Sequence, residues 1–106
     1  MNNSSYKPKV MIGWTTLPTK EDAQSIIKKL VELDLVACGQ VSGPLESYYK
    51  WNNKLETDIE WRVTFKYSKE KDFELSQKLD DLHPYDVPQW TRLEAETTEG
   101  YKLWTE

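Results

Sequence analysis

Residues 59 to 67, IEWRVTFKY, constrain this chain more than any other stretch. Ile59, Trp61, Val63, Phe65 and Tyr67 alternate with Glu60, Arg62, Thr64 and Lys66, the period-two pattern of a strand with one apolar and one polar face. Such a strand is stable only in a sheet whose apolar face is covered. Just ahead of it, Asn52 and Asn53 tolerate the positive φ angles of a tight reversal, so extended chain from Leu45 to Trp51 pairs with it as a hairpin.

The cover and the remaining strands follow from the same kind of reading. Val10 to Leu17 is β-branched and apolar on both faces and stops at Pro18, which predicts a central strand. Thr19 and Asp22 form a capping pair for a helix whose Ala23, Ile26, Ile27, Leu30 and Val31 share one face. Val36 to Val41 predicts a short strand, broken by Ser42-Gly43-Pro44. Ser68 is placed to cap a second helix carrying Phe73, Leu75, Leu79 and Leu82, and Pro84 ends that helix at His83. Gln89 to Glu96 reads as the last strand, and Glu99 to Glu106 as a short C-terminal helix. Strand, helix, hairpin, helix, strand is an α+β ferredoxin-like βαββαβ sandwich, an antiparallel sheet with two helices on one face. Residues 1 to 8 are expected to be a flexible arm and residues 9 to 106 a single domain, since 106 residues are too few for two. The open face of the sheet then needs a partner.

Composition narrows what that partner is. Aromatic residues make up 12% of the chain, with five tryptophans and six tyrosines, more large flat side chains than a small interior accommodates. Such side chains are enriched at subunit interfaces, so an oligomer is expected. The net charge of −4 offers no basic stripe for a phosphate backbone, so nucleic acid is not an expected partner. No apolar run is long enough to span a membrane, and the start MNNSSYKPK lacks a secretion signal, so a cytoplasmic location is expected. Cys38 is the only cysteine and is expected to be a buried structural thiol, in keeping with a reducing compartment.

Two functions compatible with this topology are disfavoured by the residues. RNA-binding sheets of this plan stack bases on aromatic side chains of the third strand. With the aromatic set of IEWRVTFKY turned towards the helices, that strand offers the open face only Glu60, Arg62, Thr64 and Lys66, and nothing for a base to stack on. An enzyme would use His83 as a general base beside Tyr85 or Asp86. A histidine at a helix end is equally explained by the C-terminal carbonyls, which favour a cationic side chain by about 0.3 to 1 kcal/mol. The chain also lacks a phosphate loop, a nucleophile elbow, an H-E-x-x-H helix and a C-x-x-C pair, so no catalysis is expected.

Five motifs give a more specific expectation: Thr16-x-Pro18, Leu35-Val36-Ala37-Cys38, Tyr49-x-Trp51-x-x-Lys54, His83-Pro84-Tyr85-x-Val87-Pro88 and Tyr101-x-x-Trp104. In this order and spacing the chain resembles the CutA family of divalent-cation tolerance proteins from about Val10 to Trp104. The resemblance implies a homotrimer, architecturally related to PII signalling proteins, in which open sheet faces turn inward and long hairpins reach across neighbours. Trp51, Glu60, Trp61 and Tyr85 become candidates for an inter-subunit cleft or interface, and packing in the core is the other role open to the two tryptophans.

The resemblance also implies a metal role, with copper foremost, and His83 is the candidate ligand. Copper usually takes three or four donors, and Cys38 and His83 are the only thiol and imidazole here, so a site would combine donors across copies, with carboxylates such as Glu56, Asp58 or Glu60. Some relatives place a cysteine on the first strand and a second histidine before the HPY motif; Thr15 and Leu82 occupy those positions in this chain. Gly39-Gln40, Asn52-Asn53 and Glu94 also depart from the family pattern, on the surface where related proteins hold ligands. The expected role is therefore divalent-cation tolerance without catalysis, with a small anionic or nucleotide ligand in the cleft as the alternative.

Overall fold

The computed structural model describes residues 6 to 106. The elements run β1 (Lys9–Leu17), α1 (Lys20–Glu32), β2 (Cys38–Trp51), β3 (Lys54–Tyr67), α2 (Asp72–Leu82), β4 (Thr91–Glu96) and α3 (Glu99–Thr105), with a 3₁₀ turn at Lys69–Lys71. The four strands form one antiparallel sheet in the order β2-β3-β1-β4, the ferredoxin-like arrangement, with β1 central as its apolar run requires.

Register assigns every strand residue to a face. Met11, Gly13, Thr15 and Leu17 lie opposite Tyr67, Phe65, Val63 and Trp61. These meet Ala23, Ile26 and Leu30 of α1 and Leu75 and Leu79 of α2 in the core, where Leu17, Val63, Phe65 and Tyr67 are fully buried. Trp90, just before β4, closes this layer: it packs edge-on against Phe65 and stacked on Tyr67, and its indole N–H donates to Ser76 Oγ at 2.9 Å. Gly13 is required beneath it, because a Cβ there would sit 2.4 Å from the indole ring.

Several expectations are corrected in detail. The strand expected to break at Ser42-Gly43-Pro44 continues from Cys38 to Trp51, because Gly43 and Pro44 together face one β3 residue in a bulge between Ser42 and Leu45. A proline is tolerated there since β2 is an edge strand. Ser68 does not cap α2: its hydroxyl donates to the Glu70 carboxylate, and a 3₁₀ turn intervenes. Phe73 is 74% exposed, because it lies two positions, more than half a helical turn, from Leu75 and faces away from the core. Of the expected N-terminal arm, residues 1 to 5 lie outside the described residues; within residues 6 to 8, Tyr6 donates to Glu99 at 3.1 Å and the Pro8 carbonyl accepts from Thr97 N–H at 3.0 Å.

The opposite face of the sheet has little cover. It carries Ile12 and Trp14 of β1, Leu93 of β4, and Arg62, Thr64 and Lys66 of β3. The third strand is polar on this side as expected, but its neighbour adds an aromatic ring, Trp14, that the reading of one strand overlooked. Cys38 also points to this side, half-buried, with its Sγ 3.9 Å from the Tyr101 hydroxyl of α3. It is thus outside the core that the sequence assigned to it.

Candidate functional site

The β2-β3 hairpin outgrows the rest of the sheet: β1 pairs with β3 only from Tyr67 to Trp61, whereas β2 pairs with it down to Lys54. Asn52 and Asn53 turn the chain with φ of 53° and 63°, the left-handed pair that matches strand twist in a two-residue hairpin. Beyond Trp61 the two faces of the hairpin differ sharply. One carries Tyr48, Leu55 and Ile59, all exposed, among Glu46, Lys50 and Thr57. The other carries Tyr49, Trp51, Glu56, Asp58 and Glu60.

That second face is one wall of a cleft of about 530 Å³, whose other wall is Thr16 and the loop from Tyr85 to Gln89. Pro84 prevents α2 from continuing, His83 turns extended at φ −76° and ψ 135°, and the chain passes round the end of β1. There the Tyr85 hydroxyl donates to Glu60 Oε2 at 2.7 Å, and the Tyr49 hydroxyl donates to Asp58. Burial, then this bond, pushes the Tyr85 phenol well above its ordinary range; the bond to Asp58 pushes Tyr49 up to about 12. Both phenols therefore stay protonated and donating near neutrality.

His83 stands behind the cleft and is 8% exposed. Its Nε2 lies 3.0 Å from the Thr16 carbonyl and 2.9 Å from Thr15 Oγ1, and its Nδ1 accepts from Tyr85 N–H at 3.2 Å. A carbonyl only accepts and an amide N–H only donates, so the hydrogen is on Nε2 and the ring is neutral. Burial holds its basicity below the usual histidine value, opposed by the Thr16 bond and by the charges of Asp80, Asp22 and Glu60. Both nitrogens are engaged, leaving no lone pair for a metal ion.

Of the six candidate residues, the structure brings Trp51, Glu60 and Tyr85 into one cleft with His83 as its support. Trp61 faces the helix side, half-buried against the core, and Cys38 lies with Tyr101 on the opposite side of the sheet from Thr15 and His83. Tyr49 was missed, although its position two residues before Trp51 already puts both rings on one face of a strand. Among the described residues, no group of three or more His, Cys, Asp or Glu side chains is arranged to hold a metal ion. A soft copper site built on Cys38 and His83 within one chain therefore does not fit.

Fold and cleft together define a small ferredoxin-like α+β protein with an overlong hairpin and an acidic, aromatic groove at its base. Residues 11 to 106 match the family model described as CutA1 divalent ion tolerance protein. The chain belongs to this family. The divalent-cation tolerance protein CutA of Pyrococcus horikoshii is 32% identical over 90% of this chain and 93% of its own length. That of Thermotoga maritima is 36% identical over 82% and 85%. The crystal structure of the divalent ion tolerance protein CutA1 from Ehrlichia chaffeensis superposes with a TM-score of 0.88 at 26% identity, covering 91% of each chain. That of the divalent cation tolerance protein from Thermus thermophilus does so with 0.85 at 32% identity, covering 91% of this chain and 94% of its own.

Proposed function

We propose that the protein acts in divalent-cation tolerance as a cytoplasmic homotrimer without catalytic activity. The observation that carries the assembly is exposed apolar surface on both sides of the sheet: Tyr48, Leu55 and Ile59, 64%, 72% and 49% exposed, stand among Glu46, Lys50 and Thr57 on one face of the hairpin, and Ile12, Trp14 and Leu93 lie on the opposite, open sheet face. Apolar surface of this kind gains on the order of 25 cal/mol for each Å² removed from water, and a second copy of the same chain supplies the cover. Family membership supports the cation role. A copper response cannot run through His83, whose nitrogens are both engaged, so it draws on carboxylates of more than one copy. The absence of catalysis rests on the same histidine, the chain's only one, which is held as a neutral structural group at the back of the cleft.

Light scattering at micromolar concentration tests the assembly. The mass of a trimer is expected, and a monomer would overturn it. Survival of cells lacking the protein under copper, zinc or cadmium stress tests the role: complementation by the wild type is expected, and none at any metal would refute it.

A further inference from the structure

We propose that His83 is a proton-operated latch on one wall of the cleft: uptake of a proton by its ring releases the segment from Tyr85 to Gln89 while the sheet and helices stay folded. The inference goes beyond the cation role and does not depend on it.

The segment hangs on very little of its own chain. Among the described residues, the main chain from Pro84 to Gln89 makes no hydrogen bond to other main chain. Its one polar tether within the chain is the Tyr85 N–H, which donates to His83 Nδ1 at 3.2 Å. The hydroxyl of the same tyrosine donates to Glu60 at 2.7 Å, so Tyr85 is held at two points, and the imidazole is one of them. Pro84 and Pro88 fix φ near either end of the segment, which confines a change of conformation to the residues around and between them.

A proton cannot be added to the ring without breaking that tether. Nε2 already carries a hydrogen, directed at the Thr16 carbonyl and Thr15 Oγ1 of β1. The added proton therefore goes to Nδ1, where it meets the Tyr85 N–H, and two donors then face each other with no acceptor between them. Charged groups reach the ring from the other elements packed around it: Asp80 of α2, Asp22 of α1 and Glu60 of β3 all favour the cation, and burial opposes it. None of these carboxylates is hydrogen-bonded to the ring, so none is placed to take the new N–H. The Tyr85 phenol, whose ring lies 5.1 Å from the imidazole, stays neutral near and below neutrality. The imidazolium keeps its bonds to β1 and the Tyr85 amide turns away. Asp86, Val87 and Gln89, which line the cleft together with Tyr85, move with it. The wall is closed at neutral pH and opens in acid.

Nitrogen-15 NMR of the full-length protein between about pH 7.5 and about pH 5 tests this by following the His83 ring and the Tyr85 amide together. Hydrogen-exchange protection of the Tyr85 N–H, corrected for the intrinsic pH dependence of exchange, is expected to fall by about ten-fold or more with the midpoint of the ring titration, while amides of β1 and α2 keep theirs. Asp80→Asn, at an exposed helix position, should lower both midpoints together, because it removes a charge that favours the cation. His83→Gln should show no such loss of protection. A ring that takes up no proton above about pH 5 would overturn the proposal, as would a Tyr85 amide still protected once the ring has titrated. Equal loss in His83→Gln, midpoints that separate in Asp80→Asn, or loss of protection throughout the sheet at the same midpoint would each overturn it as well, the last by showing global unfolding. The stress assay is read separately, so failure here does not bear on the cation role.

Discussion

His83 Nε2 lies 2.9 Å from Thr15 Oγ1, so the chain's only histidine is fastened to the buried side of the central strand. The same ring accepts the Tyr85 N–H and rests 5.1 Å from the Tyr85 ring, which in turn reaches Glu60. The residue that invites a catalytic or metal-binding interpretation is the anchor of one wall of the cleft.

That anchoring predicts a pH dependence of stability. In the unfolded chain His83 takes up a proton near 6.5, whereas burial lowers its affinity for one in the folded state. Below about pH 6.5 the unfolded state binds more protons, so stability is fully present above that value and falls as pH drops through it. A proton on Nδ1 would also face the Tyr85 N–H. Urea midpoints measured at about pH 7.5 and about pH 5.5 should fall for wild type and change much less for His83→Gln, which keeps a donor and an acceptor. Equal drops in the two proteins would assign the effect to other groups.

Copper binding by wild type and by His83→Ala should be indistinguishable, because neither ring nitrogen is free in the folded chain. Restoring the donors should change that. Thr15→Cys places sulfur where Oγ1 now approaches Nε2, and Leu82→His adds an imidazole at a position 37% exposed. The double variant should bind copper tighter than wild type by about ten-fold or more in competition with a chromophoric chelator. A clear loss of copper affinity in His83→Ala alone would contradict the engaged-ring geometry.

Packing of Trp90 over Gly13 makes the smallest core substitution a costly one. Gly13→Ala drives a methyl group into the indole and displaces it from Phe65, Tyr67 and Ser76, at a cost of about 1–3 kcal/mol in chemical denaturation. Ser76→Ala removes the hydroxyl that accepts from both the Trp90 indole N–H and the Arg92 guanidinium, without touching the packing, and should cost about 1 kcal/mol. Near-UV circular dichroism should report a changed tryptophan environment in the first variant.

How much of this was legible in sequence depends on whether a residue acts through its own strand or through a neighbour. The hairpin, its Asn52-Asn53 turn and the apolar set Val63, Phe65 and Tyr67 are local in origin, and the structure agrees with the periodicity. His83 as the end of a helix was equally legible, since Pro84 enforces it. Three features were not. Trp14 reaches the open face through pairing of β1 with β3, which a strand read alone cannot reveal. The bulge at Gly43-Pro44 keeps β2 continuous where composition signals a break. The cleft joins residues from three parts of the chain, and its geometry depends on Thr15 and Thr16 accepting a histidine 67 or 68 residues away. Phe73 was misplaced because apolar character outweighed phase in a short helix.

The two faces of the hairpin should be separable by mutation. Tyr48, Leu55 and Ile59 project from one side and the carboxylates from the other, so charge placed on the apolar side should disturb assembly without reaching the cleft. Leu55→Glu combined with Ile59→Glu introduces two unpaired charges where a neighbouring copy would cover apolar surface, and burying such charges costs several kcal/mol each. The double variant should sediment as a monomer at concentrations where the wild type is associated. Its far-UV spectrum should be unchanged, because both side chains are exposed in the single subunit and lie outside its core. An unchanged mass would show that the apolar face of the hairpin is not where copies of this chain meet.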